Sequence, residues 1–341
     1  MRDLFFKLFS DTPLGASEFW HIESFNLWHI LYILIIFGAI FGGAYYLKDK
    51  SDETKDKVLR TIAFLIMFSY LTDYFVHDFV YASFDEATGE YIRAGLNMDK
   101  LPFHICTAMG VIATFTQFNS KLHRFLEPIA ALAITAPMMY LVYPSTGVGG
   151  EFWCYRVVQT MFFHGMLMAW GILTVATGKT SLRWKNIWKA EILLIIITLW
   201  AKLGVTLLDY NWFFLKYNPF GIAALDKPWL LPIITPTAIF AIVAAVYGIS
   251  YGVIAVMKKL EEKKEKAHWE FLFLGANIDA VKTAGSIGIG ADRAVNYHSD
   301  PVGTALNYNV VSETVSTMRQ GKGVAANWKQ RIVDDFKGRK R

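Results

Sequence analysis

The chain has 341 residues, of which 54% are hydrophobic, 16% aromatic and 18% charged, with two cysteines and a formal net charge of +5. Soluble domains carry roughly 25% charged residues, so this balance argues against a soluble fold, and two cysteines exclude a disulfide scaffold. No nucleic-acid partner is expected; the distribution of Lys and Arg matters more than their sum, because it sets membrane orientation.

The first stretch, Met1 to Asn26, is interrupted by Asp3, Asp11, Glu18 and Glu23. It lacks the basic start, apolar middle and small-residue cleavage site of a signal peptide. Crossing a bilayer takes roughly 20 mostly apolar residues. Seven runs meet that need: about Leu27–Leu47, Val58–Ala82, Leu101–Asn119, Leu122–Tyr143, Arg156–Gly178, Asn186–Tyr210 and Leu230–Met257. The third and fourth are joined around Ser120 and Lys121, so they are expected as antiparallel neighbours. Pro128, Pro137, Pro232 and Pro236 imply kinks or irregular starts, which membrane helices tolerate when neighbours re-satisfy the backbone. The fold class is therefore an all-α polytopic membrane protein.

Basic residues alternate by loop. Lys48, Lys50, Lys55, Lys57 and Arg60 fall after the first span, Lys121 and Arg124 after the third, Lys179, Arg183, Lys185 and Lys189 after the fifth. Lys258, Lys259, Lys263, Lys264 and Lys266 follow the seventh. This asymmetry places the N-terminus outside and the C-terminus inside. Residues 1–258 are expected as the membrane domain and 259–341 as a small α/β cytoplasmic tail. In the tail, Lys258 to Lys266 reads as a solvated helix extension. Trp269 to Leu274 reads as a buried strand, Asp279 to Ser286 and Thr304 to Gln320 as helices. Gly285, Gly288 and Gly290 do not have dinucleotide or P-loop spacing.

Ionisable groups at membrane depth are functional candidates by default. Cys106 lies about 8 Å in from the outer face and His164 roughly 12 Å in, at 1.5 Å per residue. Asp73 and His77, His29, and Asp209 with Asn211 fall in the same outer layer. Each has a bland reading: His29 at the interface, Asp73 and His77 as an i, i+4 pair on one helix face. Lys202 and Glu191 read as structural or snorkelling groups. Pro102 suits a first helical turn, which sets Cys106 about one turn in, where the positive helix end favours a thiolate. Cys106 is then a nucleophile, a buried apolar thiol, or half of a disulfide with Cys154. As base, His104 faces the wrong way at i−2, and His164 on another span is the better candidate.

His29, Leu101-Pro-Phe-His-Ile-Cys106, Tyr155-Arg156 with His164-Gly165, and Asp209-Tyr-Asn211 with Pro219 occur in order across the spans. Together they resemble the YwaF-like family of bacterial integral membrane proteins over about residues 20 to 258. The family's animal relative moves polyunsaturated acyl chains onto ether lysophospholipids. The resemblance implies a lipid acyltransferase or transacylase of the bacterial cytoplasmic membrane. Cys106 and His164 are its catalytic pair, and His104 or helix-terminal amides stabilise the oxyanion. His77 oriented by Asp73 is a second acid or base, and His29, Arg156, Asp209 and Asn211 are supporting residues. It implies phospholipids and lysophospholipids as partners and no cofactor.

The tail, about residues 268–337, is similar to the C-terminal end of von Willebrand A-type domains without their Asp-x-Ser-x-Ser metal motif. It is expected to dock on another protein or a second copy. Two other functions stay open. One is a metal-dependent lipid hydrolase using Asp73, His77, His104 and His164, although no HxxxH or HExxH pair is present. The other is a transporter or channel with the polar layer as its vestibule, although the spans show no obvious repeat.

Overall fold

The computed structural model describes residues 20–80, 83–85, 87–92, 98–142, 152–219, 221–266, 270–276 and 278–339. The chain divides into two compact units, Met1–Val253 and Ile254–Arg341.

Asn26 starts the first membrane helix, α1 (Leu27–Leu47), by accepting the His29 N–H on its side-chain oxygen at 3.1 Å, which satisfies one orphan donor of the first turn. Asp52 and Glu53 open α2 (Asp52–Val80), where acidic side chains complement the helix dipole. A small antiparallel pair follows, β1 (Ser83–Asp85) with β2 (Glu90–Ile92), Ser83 lying opposite Ile92. Then come α3 (Ile105–Phe118), a 3₁₀ stretch Ser120–Phe125, α4 (Leu126–Val142), α5 (Tyr155–Ala176), α6 (Ile187–Leu208) and α7 (Leu231–Lys266). Pro137 and Pro236 lie inside unbroken helices. Pro128 and Pro232 lie in first turns, where the missing N–H has no helical acceptor to lose.

Six described helices are long and apolar enough to cross a membrane: those at Leu27–Leu47, Asp52–Val76, Ser120–Val142, Tyr155–Ala176, Trp184–Leu208 and Leu231–Val256. The expected third span is the exception. Its helix, α3, has only 14 residues, about 21 Å against a hydrocarbon core of about 30 Å. Leu101–His104 do not join it, because Pro102 biases its predecessor away from the α region. The carbonyls of this segment are taken by side chains instead. Trp212 Nε1–H donates to Met98 at 2.9 Å, and Tyr70 and Tyr74 hydroxyls donate to Lys100 at 2.7 and 2.6 Å. Thr107 donates to Leu101 at 3.2 Å and Trp200 Nε1–H to Pro102 at 2.7 Å. Irregular backbone survives at membrane depth when protein groups satisfy it in this way.

The centre of the membrane unit is the antiparallel pair α4 and α5. The apolar windows of α5 and α4 are 72% and 61% buried, against 11% for α1 and 17% for α7, which places the last two at the rim. Small residues let the central helices approach, as membrane packing requires. A Cβ on Gly171 of α5 would sit 3.0 Å from the Ala130 carbonyl oxygen of α4. One on Gly110 of α3 would sit 2.9 Å from the Phe163 ring of α5.

The second unit contains a two-stranded parallel sheet, β3 (Phe273–Ala276) beside β4 (Ala294–Tyr297), with Phe273 opposite Ala294. Around it are α8 (Ala280–Ser286), α9 (Pro301–Arg319) and α10 (Gln330–Gly338). Asp279 and Asp300 cap α8 and α9 through their side chains. The small core holds Val295, Val310, Trp328 and Ile332. The strand lies slightly later than the sequence pattern suggests, and β4 is a strand the pattern did not reveal, because four residues between a glycine-rich turn and a polar loop carry little periodicity.

Candidate functional site

The site is organised around the irregular strap Met98–His104. Lys100, whose carbonyl is held by Tyr70 and Tyr74, sends its side chain inward. Its ammonium lies 3.7 Å from the Asp73 carboxylate and donates to Gln159 Oε1 at 3.0 Å. The Gln159 amide donates in turn to the Ser69 carbonyl at 3.1 Å. Asp73 is thus the partner of Lys100. The expected partner, His77, belongs to the part of α2 whose side chains lie outside the described residues.

Phe103 locks the strap sideways. Its ring stacks on Trp200 at 4.9 Å and packs on Trp212 at 4.7 Å. Gly204 of α6 lies directly beneath it, so close that a Cβ there would meet the ring at 2.5 Å. His104 then occupies the N-cap position of α3, with extended backbone and no side-chain cap bond. This places Cys106 as the second helical residue, nearer the helix end than the Pro102 spacing implies. The first helical bond into this end runs from the Ala108 N–H to the His104 carbonyl at 2.9 Å. The amides of Ile105, Cys106 and Thr107 precede it and are the natural orphan donors of a helix start.

The two imidazoles present opposite faces of hydrogen-bond chemistry, assigned from their partners. His104 Nδ1 accepts the Phe213 N–H at 3.2 Å, which leaves the proton on Nε2. His164 Nδ1 lies 2.8 Å from the Thr160 carbonyl, so Nδ1 carries the proton and Nε2 is an acceptor. The His164 ring also stacks on Tyr140 at 3.9 Å. The strap meets α5 through the Lys100–Gln159 bond, and α3 meets α5 where Gly110 lies against Phe163 beside His164. Cys106 is half-buried against the core, and its thiol is free.

The loop that aims Phe213 is itself strained. Phe213 and Phe214 adopt φ of 57° and 53°, a region costly for residues with a Cβ. Asn211 holds it: Oδ1 accepts the Lys216 and Tyr217 amides, both at 2.9 Å, and Nδ2 donates to the Tyr217 carbonyl at 3.0 Å. Asn211 therefore reaches the site through His104.

Asp209 ends α6 in a left-handed conformation at φ 51°. Its carboxylate pairs with Lys216 at 2.7 Å while 87% exposed, which makes it a surface group. The hydrogen bond that Lys216 donates to that carboxylate keeps its pKa above the ordinary lysine value. His29 is buried and fully occupied: Nδ1 accepts the Phe25 N–H at 2.8 Å and Nε2 donates to the Leu141 carbonyl at 2.7 Å. It ties the start of α1 to the end of α4. Arg156 lies half-buried in the first turn of α5. Cys154 is buried at the N-cap of α5, forms no disulfide with Cys106, and lies in a different apolar cluster. Among the described residues, no group of three or more His, Cys, Asp or Glu side chains could hold a metal ion.

The sequence pattern of the TMEM164 family matches residues 19–251, more than half of the chain. The chain belongs to the TMEM164 family. It is a multi-pass membrane protein of that family, a membership compatible with a lipid-modifying role in the membrane. The family match contains His29, the strap, Cys106, His164 and the Asp209–Tyr217 loop, and stops before the second unit. No curated protein and no solved structure matches the chain.

Within the family's membrane unit, sequence reasoning overlooked Lys100, Gln159, Ser69 and the tyrosine pair Tyr70 and Tyr74. Lys100 stands immediately before Leu101-Pro102, where pattern alone gives no way to tell it from an ordinary loop charge. The Gln159 side chain, a strong polar group one turn above Phe163 in a membrane helix, was the other available signal.

Proposed function

We propose that this protein is a membrane-embedded lipid acyltransferase or transacylase, with Cys106 as nucleophile and His164 as its general base. The observation that carries the reading is the pair of opposite tautomers. His164 keeps Nε2 as an acceptor for the thiol proton, and His104 keeps Nε2–H as a donor for a developing oxyanion. The α3 start, where Cys106 sits, adds helix-terminal amides and the positive helix end, both of which favour a thiolate and an oxyanion.

The reaction runs in two halves. His164 Nε2 takes the Cys106 proton, and the thiolate attacks an ester carbonyl of a phospholipid. The tetrahedral intermediate collapses by breaking the acyl–oxygen bond. The leaving lysophospholipid oxygen takes the proton back from His164, and an acyl-thioester remains on Cys106. A second lysophospholipid hydroxyl gives its proton to His164 and attacks the thioester. The new ester forms, the carbon–sulfur bond breaks, and Cys106 recovers its proton. No cofactor is needed. Lys100, paired with Asp73 and bonded to Gln159, supports the site by holding the strap against α2 and α5.

The same reading includes a topology. The short α3 and its strap together serve as a seventh crossing, with the N-terminus outside and the C-terminus inside, in a bacterial cytoplasmic membrane. This puts Cys106 in the outer leaflet. The YwaF-like resemblance and the motif order support it. The second unit would be a cytoplasmic appendage related to the end of a von Willebrand A-type domain, docking on another protein or a second copy.

The test is acyl exchange between labelled phosphatidylcholine and lysophospholipid in reconstituted vesicles. Cys106→Ala should abolish exchange, and the wild type should accumulate a hydroxylamine-sensitive acyl label that the variant lacks. Exchange at the wild-type rate in Cys106→Ala would rule the mechanism out.

A further inference from the structure

The opposite end of the membrane unit carries a second feature that acyl transfer does not use. A groove of about 600 Å³ opens between α3, the 3₁₀ stretch Ser120–Phe125, α4 and the first half of α6. Its walls are apolar, built from Ile112, Phe115, Pro128, Ile192 and Ile196. Trp188, Lys189 and Arg124 also line it. The groove follows α6 from Trp188 to Ile196, about 12 Å at 1.5 Å per residue. The strap meets α6 further along, at Trp200 and Gly204, and none of its residues lines the groove. Its size falls in the range of small-molecule sites.

The charges make the groove amphiphilic. Arg124 and Lys189 have no acidic partner among the described residues. The Arg124 guanidinium rests over the Phe125 ring at 4.8 Å and the Lys189 ammonium near the Trp188 ring at 5.8 Å, contacts that hold a cation without neutralising it. The carboxylate close by in sequence, Glu127, is engaged elsewhere. It accepts the Arg183 N–H and the Asn186 side-chain amide, both at 2.7 Å. Two unneutralised cations and an indole beside an apolar trough fit a molecule with one anionic head and a hydrocarbon tail.

We propose that this groove is a binding site for an anionic glycerophospholipid, with one acyl chain along Ile192 and Ile196 and the phosphate between Arg124 and Lys189. A second copy of this chain is a poorer occupant, since facing copies would bring the same unneutralised cations together. A zwitterionic lipid carries its own ammonium beside the phosphate and gains less from the two cations. The site is independent of Cys106 and of the acyl-transfer reading.

The experiment is native mass spectrometry of the full-length, delipidated protein titrated with dioleoyl phosphatidylglycerol or dioleoyl phosphatidylcholine. The wild type should retain phosphatidylglycerol with a preference on the order of tenfold or more, from two surface cations acting together. Arg124→Ala with Lys189→Ala should bring the two lipids to parity, since both residues lie outside the packed core. Ile192→Trp, which fills the trough and leaves both cations in place, should reduce phosphatidylglycerol retention with an unchanged melting temperature. Equal retention of both lipids by the wild type would overturn the proposal. So would a preference that survives the double substitution, or a dimer whose formation shields Ile192 from lipid.

Discussion

The buried pair Asp73–Lys100 offers the sharpest test of how the site is held. The side chains are 2% and 17% exposed, so the small values measured for surface pairs do not apply. At 3.7 Å and an effective dielectric of about 20, their attraction is about 4 kcal/mol. Desolvation of both groups offsets much of that, yet removing one partner strands the other charge at a cost of roughly 3–5 kcal/mol. Asp73→Asn should therefore destabilise the protein by about 3 kcal/mol, and Lys100→Met by a similar amount. The double variant removes both charges and leaves the Lys100 carbonyl bonds to Tyr70 and Tyr74 intact. It should cost less than the sum of the singles, by about 2 kcal/mol. The assay is reversible unfolding in mixed micelles, followed by tryptophan fluorescence, as a double-mutant cycle. Additivity within about 0.5 kcal/mol, or a neutral Asp73→Asn, would refute the pairing.

Gly204→Ala should lower stability by about 1–3 kcal/mol through overpacking against Phe103, and Phe103→Leu in the same chain should restore most of it, read by thermal melting. His104→Leu should lower the transfer rate by about 100-fold with little change in apparent KM, because the lost donor acts on the oxyanion; an unchanged rate would remove His104 from the site. Asp209→Ala should leave transfer within about twofold of wild type, as expected for an exposed ion pair. In the second unit, the Gly303 N–H, and then the Arg339 guanidinium, hold the Asp300 carboxyl below its ordinary pKa. A depressed pKa stabilises the fold above the unfolded value of about 4 and loses that contribution as pH falls through the folded value. Hydrogen exchange in the first turn of α9, corrected for intrinsic rates, should rise between pH 6 and pH 3 in wild type and stay flat in Asp300→Asn. Parallel profiles would contradict the cap assignment.

Several features were readable without coordinates because they depend on local pattern. Twenty-residue apolar runs give helices at α1, α2, α5, α6 and α7, since a bilayer leaves the backbone no other way to satisfy itself. The charge run to Lys266 continues α7, and Asp279 and Asp300 cap helices close to where the pattern places them. The Cys106, His104 and His164 candidates also came from the sequence, because ionisable groups are rare enough at membrane depth to stand out.

Tertiary structure decided what those groups do. Pro102 signalled a helix start, but whether Leu101–His104 were helical depended on Trp200, Trp212, Tyr70 and Tyr74, which come from two other helices and a distant loop and take the free carbonyls. His29 looked like the other histidines until both ring nitrogens found backbone partners, one of them 112 positions away in sequence. Asp73 pairs with Lys100, 27 positions away in sequence, because a buried carboxylate is stabilised most by a full opposite charge. The tautomers of His104 and His164 depend on one amide in the α6–α7 loop and one carbonyl on α5. Periodicity carries information over a few residues along the chain, and it fixed the helices of this protein. The state of a proton on a buried ring is set by whichever group lies 3 Å away in space, and that only the packed helices determine.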